Sequence, residues 1–233
     1  MGLGGMMGAL VATRRGLVVG GLFVVLVVAT LSFHLSGLAR GADASRCERY
    51  AAGSVARAQA VTGAGERVVV IGDSYSAGLG LSSVVGSWPS RLPGQVHVAG
   101  FSGSGFSEHA SPCGRVSFAD RAPAALRGGA DLVVVEGGLN DVDQPASSIT
   151  AGFARLMAEL DGYRVVVVGP VAAPSRAAGV PRVDALLAEL CADYDVPYVR
   201  TSGLRLPYLD DRLHLTPTGH RTFGDFVAAQ LAG

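Results

Sequence analysis

The chain has 233 residues, of which 49% are apolar and 16% charged, so it can fold as one mid-sized domain with a full hydrophobic core. Its 19 basic and 19 acidic residues give a formal charge of zero. A nucleic-acid-binding protein usually carries a surplus of basic residues, so this composition argues against a nucleic-acid partner.

The first 44 residues have the pattern of an export segment. Arg14 and Arg15 precede an uncharged, apolar run at residues 16–33, as in a signal peptide. The run is also long enough to span a bilayer as a helix, with the arginines on the cytoplasmic side. Small residues at 42–44 offer a cleavage site, so the pattern fits both a cleaved signal and an uncleaved anchor. We therefore expect residues 1–44 to be a signal peptide or membrane anchor, and the protein to be extracellular or anchored to the outer face of the cytoplasmic membrane.

Three cysteines follow this segment, at Cys47, Cys113 and Cys191. In an exported protein one disulfide is allowed, and the sequence leaves all three pairings open. None of the cysteines lies in a CxxC pattern or in a Cys/His cluster, so a metal site built on cysteine is not expected.

Residues 45–233 alternate between short apolar runs and segments with helical spacing. The runs are rich in valine, as strands buried on both faces are, and occupy residues 67–71, 95–99, 131–136, 164–169 and 196–199. The helical segments occupy residues 46–60, 88–92, 122–126, 147–160, 183–194 and 216–231. Repeated alternation predicts a parallel sheet with helices on both sides. The expected fold class is α/β, a three-layer α/β/α sandwich around five parallel strands.

A serine follows the first predicted strand directly, in the sequence Gly72-Asp73-Ser74. In an open parallel sheet, ligands bind outside the carboxyl ends of the strands, which is where this serine falls. The glycine permits the tight backbone turn that would expose the serine side chain. Read alone, the three residues are more typical of an ordinary turn capped by Asp or Ser.

The second and third predicted strands end in segments that offer hydrogen-bond donors. Residues 100–105 are rich in glycine and serine, so backbone N–H groups there can approach a reacting oxygen. The same loop could cradle a phosphate, but the GxGxxG and P-loop patterns are absent. After the third strand, the Asn140 amide could stabilise an oxyanion, or Asn140 and Asp141 could cap the next segment.

Asp211 precedes His214 by three residues, just ahead of the last predicted helix. This spacing lets the carboxylate hold one ring nitrogen of the histidine while the other nitrogen faces a nucleophile. Asp210 is a second carboxylate beside the first, and the spacing favours Asp211. A metal site built from Asp211, His214 and His220 is disfavoured, because too few ligands converge in the sequence.

The remaining histidines suit other positions. His34 belongs to the N-terminal segment, His97 lies within a strand pattern, and His220 lies in the last helix. His109 follows Glu108 on the glycine-rich loop and is the weaker candidate for a catalytic base.

In their order along the chain, these segments resemble the SGNH family of hydrolases, also called GDSL esterases and lipases. The matching blocks are Gly72-Asp73-Ser74, the Gly103 loop, Gly138-Leu139-Asn140-Asp141 and Asp211-Arg212-Leu213-His214. The resemblance covers residues 67–231 and implies a flavodoxin-like sandwich. The GxSxG elbow of the α/β-hydrolases is absent, because position 76 is serine where that pattern has glycine.

The resemblance also implies a role for each matching residue. Ser74 would be the nucleophile, with His214 as its base and Asp211 orienting that base. The oxyanion donors would be the backbone N–H groups of Ser74 and Gly103 and the side chain of Asn140. No metal and no organic cofactor is implied.

The predicted function is hydrolysis of a carboxylic ester through an acyl-serine intermediate, by a monomer acting outside the cytoplasm. The substrate would be a small-molecule, lipid or glycan ester, and membrane contact would come from the N-terminal helix if it is uncleaved. Trp88, Phe101 and Phe106 lie near the expected site and fit either an acyl pocket or ordinary core packing. The alternatives are acyl transfer to an alcohol by the same residues, and a non-catalytic glycan-binding envelope protein on the same fold.

Overall fold

The computed structural model describes Val28, Ser32 and residues 42–232. Most of the apolar run at 16–33, and His34, which the sequence assigns to the N-terminal segment, therefore lie outside the described residues. Within the part that is described, none of the helices is both long enough and apolar enough to cross a membrane.

The chain divides into two units, residues 1–46 and residues 47–233. In the first unit, the described residues at 42–46 are helical. The second unit carries the alternating strands and helices, and it opens with a helix over residues 47–59, called α1 below.

The second unit is built on a five-stranded, fully parallel sheet with the strand order β2-β1-β3-β4-β5. The strands are β1 (Arg67–Gly72), β2 (Gln95–Gly100), β3 (Leu132–Glu136), β4 (Val165–Val168) and β5 (Tyr198–Val199). The last strand is shorter than the 196–199 run predicted. Pro197 precedes it, and a proline has no N–H to donate to a neighbouring strand.

Five further helices follow α1 in the second unit: α2 (Ser74–Ala77), α3 (Phe118–Ala125), α4 (Ala146–Glu159), α5 (Val180–Asp193) and α6 (Pro217–Leu231). The last begins as expected, because Thr216 caps it and Pro217 occupies its first turn. The helix expected at 88–92 is wrong: Trp88–Arg91 form only a short 3₁₀ turn. Pro93 disfavours helical backbone at the residue before it, and Leu92 is extended with ψ of 148°.

The hydrophobic core lies in two layers, one on each face of the sheet. On one face Val69 and Val133 pack with residues of α3, α4 and α5. On the other face Val70 and Val134 pack with residues of the 3₁₀ turn and of α6. Successive strand residues point to opposite faces, so each valine-rich run feeds both layers. The α/β fold with helices around five parallel strands, expected from the sequence, is confirmed.

The three aromatic residues considered for an acyl pocket belong to the interior. Trp88 and Phe106 are fully buried, and Phe101 is 7% exposed. Trp88 packs edge to face on Phe223, and Phe106 packs in the same way on Phe118. Edge-to-face pairs of this kind stabilise a core. Ordinary packing is therefore the role that the structure gives to these rings.

The carboxyl ends of the first three strands lie side by side. Gly72 at the end of β1 is paired with Gly100 on β2 and with Glu136 on β3. In this strand order the crevice between β1 and β3 is the topological switch point, where ligands bind in open α/β sheets. The loops that carry the candidate residues therefore leave the sheet at one edge.

A disulfide joins Cys47 at the start of α1 to Cys113 in the segment between β2 and α3. Cys191 is a free, buried thiol on α5. Near the bond, the ring of Tyr50 on α1 meets Phe101 edge to face, with ring centres 6.3 Å apart. The glycine-rich segment after β2 is thus attached to α1 by a covalent bond and an aromatic contact.

We predict that Cys113→Ser lowers the free energy of unfolding by about 4 kcal/mol, because the disulfide closes a loop of 66 residues and so restricts the unfolded chain. Guanidinium denaturation of the parent and the variant measures this difference. A reductant should bring the parent to the stability of the variant and leave the variant unchanged. Equal stability of the two oxidised proteins would contradict the prediction.

Candidate active site

Ser74 opens α2 at the carboxyl end of β1. Asp73 caps this helix, because its Oδ1 accepts a hydrogen bond from the Tyr75 backbone N–H at 2.9 Å. A Cβ atom at Gly72 would lie 2.1 Å from Ser76 Oγ, so the strand end accepts only glycine. The sequence therefore folds into a tight turn in which Ser74 is buried, with 6% of its surface exposed to solvent.

His214 and Asp211 lie on the loop before α6, and the carboxylate organises that loop. Asp211 Oδ1 accepts hydrogen bonds from the backbone N–H groups of Leu213 and His214, both at 2.9 Å. Asp211 Oδ2 lies 2.6 Å from His214 Nδ1. Arg212 has a left-handed φ of 57°, which lets the chain turn between the two residues. One carboxylate thus fixes both the backbone and the ring of the histidine.

The structure brings Ser74, His214 and Asp211 into one hydrogen-bonded line. His214 Nε2 lies 3.2 Å from Ser74 Oγ, while Nδ1 on the other side of the ring contacts Asp211. Asp210 is exposed, and its side chain makes no hydrogen bond in the described part of the chain. The carboxylate that contacts the ring is therefore the one that the sequence spacing favours.

The environment of Asp211 keeps it charged. Partial burial acts to raise its pKa, but hydrogen bonds from His214 and Leu213 outweigh burial, and the pKa lies below its usual value. A carboxylate that stays ionised can hold the histidine ring in one tautomer and stabilise its protonated form.

Tyr75 and His220 lie beside this arrangement, and no sequence pattern indicates a role for Tyr75. The Tyr75 hydroxyl donates a hydrogen bond to the Leu213 carbonyl at 2.5 Å, which ties the nucleophile turn to the histidine loop. His220 lies on α6 with its ring centre 6.0 Å from that of Tyr75. Burial, reinforced by the charge of His214, lowers the pKa of His220 to about 4, so it is neutral at pH 7.

The three expected oxyanion donors all follow carboxyl ends of strands. Ser74 is the first residue of α2, and Gly103 lies in the loop after β2 with a left-handed φ of 80°. Asn140 lies in a 3₁₀ turn after β3. Its Nδ2 donates to Asp73 Oδ2 at 3.2 Å and to the Ser104 carbonyl at 2.9 Å. Both hydrogens of the Asn140 amide are therefore in use, and one must be released or shared for it to bind an oxyanion.

Asp141, the neighbour of Asn140, has a role that sequence reasoning did not assign. Its carboxylate accepts hydrogen bonds from the backbone N–H groups of Phe106 at 3.1 Å and Ser107 at 2.8 Å. Burial raises its pKa to about 6, although these two bonds oppose the shift. A Cβ atom at Gly105 would lie 2.5 Å from this carboxylate. The glycine-rich loop is therefore fixed against the turn that carries Asn140.

A second buried carboxyl group lies behind the nucleophile turn. Glu136, the last residue of β3, accepts a hydrogen bond from Ser76 Oγ at 2.7 Å and one from the Asp73 backbone N–H. Burial raises the pKa of Glu136 well above its usual value, and it raises the pKa of Asp73 to about 7. These buried carboxyl groups hold the turn together.

The other candidate histidines do not join this group. His97 lies on β2, where its Nε2 is 2.7 Å from the Arg67 guanidinium. His109 is exposed, and its backbone N–H donates to Ser107 Oγ at 3.1 Å. Among the residues that the structure describes, no group of three or more His, Cys, Asp or Glu residues is arranged to hold a metal ion.

Comparison with known proteins identifies similar sequences and folds. Residues 70–222 match the family described as GDSL-like Lipase/Acylhydrolase. No curated protein matches the sequence. Among solved structures, a carbohydrate acetylesterase family member from Sinorhizobium meliloti is similar, with a TM-score of 0.59 and 21% identity over 72% of this chain and 97% of that one. The native M. smegmatis aryl esterase gives a TM-score of 0.55 and 19% identity over 72% of this chain and 99% of that one. At such identities the likeness shows the fold.

The buried carboxyl groups predict a pH dependence of stability. Burial, helped by the charge of Asp141, raises the pKa of Asp73 to about 7, although the Tyr75 N–H and Arg121 oppose the shift. Between about pH 4 and pH 7 the folded chain thus retains a proton that the unfolded chain, with an Asp pKa of about 3.9, has already lost. The free energy contributed by this group therefore falls as pH rises through that window.

We predict that Asp73→Asn makes the decline in unfolding free energy between about pH 4 and pH 7 less steep, because one titrating group is gone while Asp141 and Glu136, whose pKa values are also raised, remain. Denaturant unfolding at a series of pH values measures the slope. Asp161→Asn, at an exposed position, serves as the control and should keep the slope of the parent. Parallel pH profiles for Asp73→Asn and the parent would show that Asp73 does not titrate in this window.

Proposed function

Because the chain belongs to the GDSL-like lipase/acylhydrolase family and is therefore a carboxylic ester hydrolase, we propose that it cleaves esters through an acyl-serine intermediate on Ser74. One observation carries this proposal. His214 Nε2 lies 3.2 Å from Ser74 Oγ, while its Nδ1 lies 2.6 Å from Asp211 Oδ2. His214 can therefore accept the proton of the serine, and Asp211 can hold the imidazole ring in place.

In the proposed mechanism, His214 takes the proton of Ser74 as the hydroxyl oxygen attacks the ester carbonyl. Asp211 holds the imidazolium that forms. The protonated His214 then gives its proton to the departing alcohol, which leaves an acyl group on Ser74. Water, deprotonated by the same histidine, attacks the acyl carbonyl and releases the acid. No metal or organic cofactor enters any of these steps.

The negative oxygen of each tetrahedral intermediate needs donors, and we assign this role to Ser74, Gly103 and Asn140. Two are backbone N–H groups at the ends of β1 and β2, and the third is the side-chain amide after β3. Each such donor typically contributes about 2.7–4 kcal/mol to lowering the barrier. The Asn140 amide must turn from Asp73 or Ser104 to contribute, so we expect it to reorient when an ester binds.

We propose that the enzyme acts outside the cytoplasm, as an extracellular protein or one anchored to the outer face of the membrane. The charged and apolar pattern of residues 1–44 supports export. The disulfide between Cys47 and Cys113 also supports it, because such bonds persist in oxidising compartments.

For the substrate, we propose a small-molecule or glycan ester with a short acyl group. The similar structures include a carbohydrate acetylesterase family member, and because acetyl is a short acyl group, this favours short acyl chains over long lipid chains. The large aromatic residues near the site also support this choice, because Trp88 and Phe106 are fully buried in the core.

We predict that Ser74→Ala lowers kcat for a p-nitrophenyl ester by about 10⁴-fold or more, because the nucleophile is lost. His214→Ala should lose most activity too. Asp211→Asn should retain more activity than either, since the nucleophile and the base both remain. Ser83→Ala, at an exposed serine outside the site, is the control and should match the parent.

The same variants separate an enzyme from a glycan-binding protein on this fold. A fluorophosphonate probe should label the parent and Ser83→Ala but not Ser74→Ala. An unlabelled parent, or a Ser74→Ala variant with full esterase activity, would overturn the assignment of Ser74.

We further predict that turnover falls as the acyl chain of the ester lengthens from acetyl to octanoyl. A panel of p-nitrophenyl and acetylated sugar esters, with Ser74→Ala as the blank, measures this. Addition of an alcohol to the assay tests acyl transfer: a hydrolase should give free acid, whereas a dominant ester product would favour the acyltransferase alternative. Faster turnover of octanoyl than of acetyl esters would contradict the short-acyl proposal.

A further inference from the structure

Arg121 lies on α3, and its cationic side chain reaches the end of β1 and the loop after β2. Within residues 42–232, its guanidinium donates hydrogen bonds only to neutral oxygens: the Val116 carbonyl at 2.9 Å, the Gly72 carbonyl at 3.0 Å, Ser104 Oγ at 2.9 Å and the Ala99 carbonyl. Burial lowers its pKa to about 10, which leaves it protonated at neutral pH. The nearby carboxyl groups of Asp73 and Asp120 oppose this pKa shift, but neither accepts a hydrogen bond from the guanidinium. A buried charge without such a partner is costly.

The helix places Arg121 at this point by its own N-terminal structure. Ser117 and Asp120 form a reciprocal capping box, in which each side chain accepts a hydrogen bond from the backbone N–H of the other. The Arg121 guanidinium then passes over the ring of Phe118, 5.6 Å from its centre. The side chain therefore has a fixed origin and a packed stem.

Two acceptors of Arg121, the Gly72 carbonyl and Ser104 Oγ, belong to the segments that lead to the oxyanion donors. Gly72 ends the strand that leads into Ser74. Ser104 follows Gly103, and its carbonyl also accepts the Asn140 amide at 2.9 Å. Through Ser104 and Gly72, one guanidinium thus connects the nucleophile turn, the glycine-rich loop and the asparagine.

We propose that Arg121 is a positioning residue that sets the distances among the oxyanion donors of Ser74, Gly103 and Asn140. This inference rests on the proposed ester hydrolysis. The planar guanidinium offers five N–H donors spread over three nitrogens in a rigid fork, whereas a lysine offers three donors on one nitrogen, so it cannot reach these four acceptors together. Oxyanion donors must be placed to a fraction of an ångström, and a shift of 1 Å can cost about 100-fold in rate.

Two substitutions test the fork and the charge separately. Arg121→Lys keeps the charge but loses the fork, and Arg121→Met loses both at similar volume. We expect each to lower kcat for p-nitrophenyl acetate by about 10- to 100-fold, with KM changed by less than about threefold, because the donors act on the transition state. A kcat within twofold of the parent for folded Arg121→Met would overturn the proposal.

Arg57 provides a matched control, because it is the same kind of group in another place. It is fully buried on α1, and its guanidinium donates to Ser87 Oγ at 2.9 Å, Ser90 Oγ at 3.1 Å and the Ala60 carbonyl at 2.6 Å. Burial lowers its pKa to about 10 as well. Arg57→Lys should lower the melting temperature while leaving kcat unchanged. A comparable loss of kcat in Arg57→Lys would show that Arg121 acts only through stability.

Ser104→Ala keeps the test decisive if Arg121→Met does not fold. It removes the hydroxyl that accepts from Arg121 and that donates to the Phe101 carbonyl at 2.8 Å, and it leaves the carbonyl that accepts from Asn140. We expect a smaller loss of kcat, and little further loss when it is combined with Arg121→Lys, because both changes break one connection. If the kcat losses of Ser104→Ala and Arg121→Lys add fully in the double variant, the two residues do not act through one connection, and the proposal is contradicted.

Hydrogen exchange separates this proposal from the proposed function. Amides in residues 101–107 should exchange faster in Arg121→Lys than in the parent, and Arg57→Lys should leave them unchanged. This result does not depend on esterase activity. An inactive parent with faster exchange in Arg121→Lys would refute ester hydrolysis while keeping the positional role, whereas unchanged exchange would refute the positional role alone.

Discussion

The parallel register of β1 with its two neighbours is the constraint on which the rest of the site depends. Gly72 is paired with Gly100 on β2 and with Glu136 on β3, so three loops start at one edge of the sheet. Ser74 and His214 are 140 residues apart in the chain, yet their side chains come within 3.2 Å at this edge. A slip of one residue would exchange the two faces of β1, placing its valines in the wrong core layer and removing Ser74 from its partners.

Buried polar contacts hold the loops at this edge together with the apolar packing of Phe106 and the disulfide at Cys113. Asp141 fixes the glycine-rich loop through two backbone N–H groups, and Glu136 holds the nucleophile turn through Ser76 and Asp73. Such groups stabilise a structure only when every partner is present, because an unpaired polar group in the interior costs about 1–3 kcal/mol. Their geometry is therefore exact in a way that a purely apolar contact is not, and the loops of a hydrolase benefit from that restriction.

The sequence predicted the parts of the molecule that depend on local pattern. Valine-rich runs indicated the five strands, and the three-residue spacing of Asp211 and His214 indicated a compact loop. The choice among three cysteine pairings could not be predicted, because it depends on the distance between α1 and the loop after β2. The roles of Tyr75 and Arg121 were missed for the same reason. The carbonyl that Tyr75 contacts lies 138 residues away in the chain, and the Gly72 carbonyl that Arg121 contacts lies 49 residues away. Local sequence pattern carries no signal for contacts of that range, and the contact of Ser74 with His214 was predicted only through the resemblance to a known family.

The carboxyl groups of the site show how one kind of chemical group serves two purposes. The Asp211 side chain is 47% exposed, and hydrogen bonds keep its pKa below the usual value, so it is charged when His214 takes up a proton. Asp73 and Glu136 are buried with raised pKa values, so they serve as hydrogen-bonded supports. Environments that separate pKa values in this way assign the roles of acids within a site. The exposed carboxylate contacts the histidine, so in the proposed mechanism it stabilises the charge that forms on the ring. The buried carboxyl groups contact the turn that carries Ser74, so they fix the position of that turn.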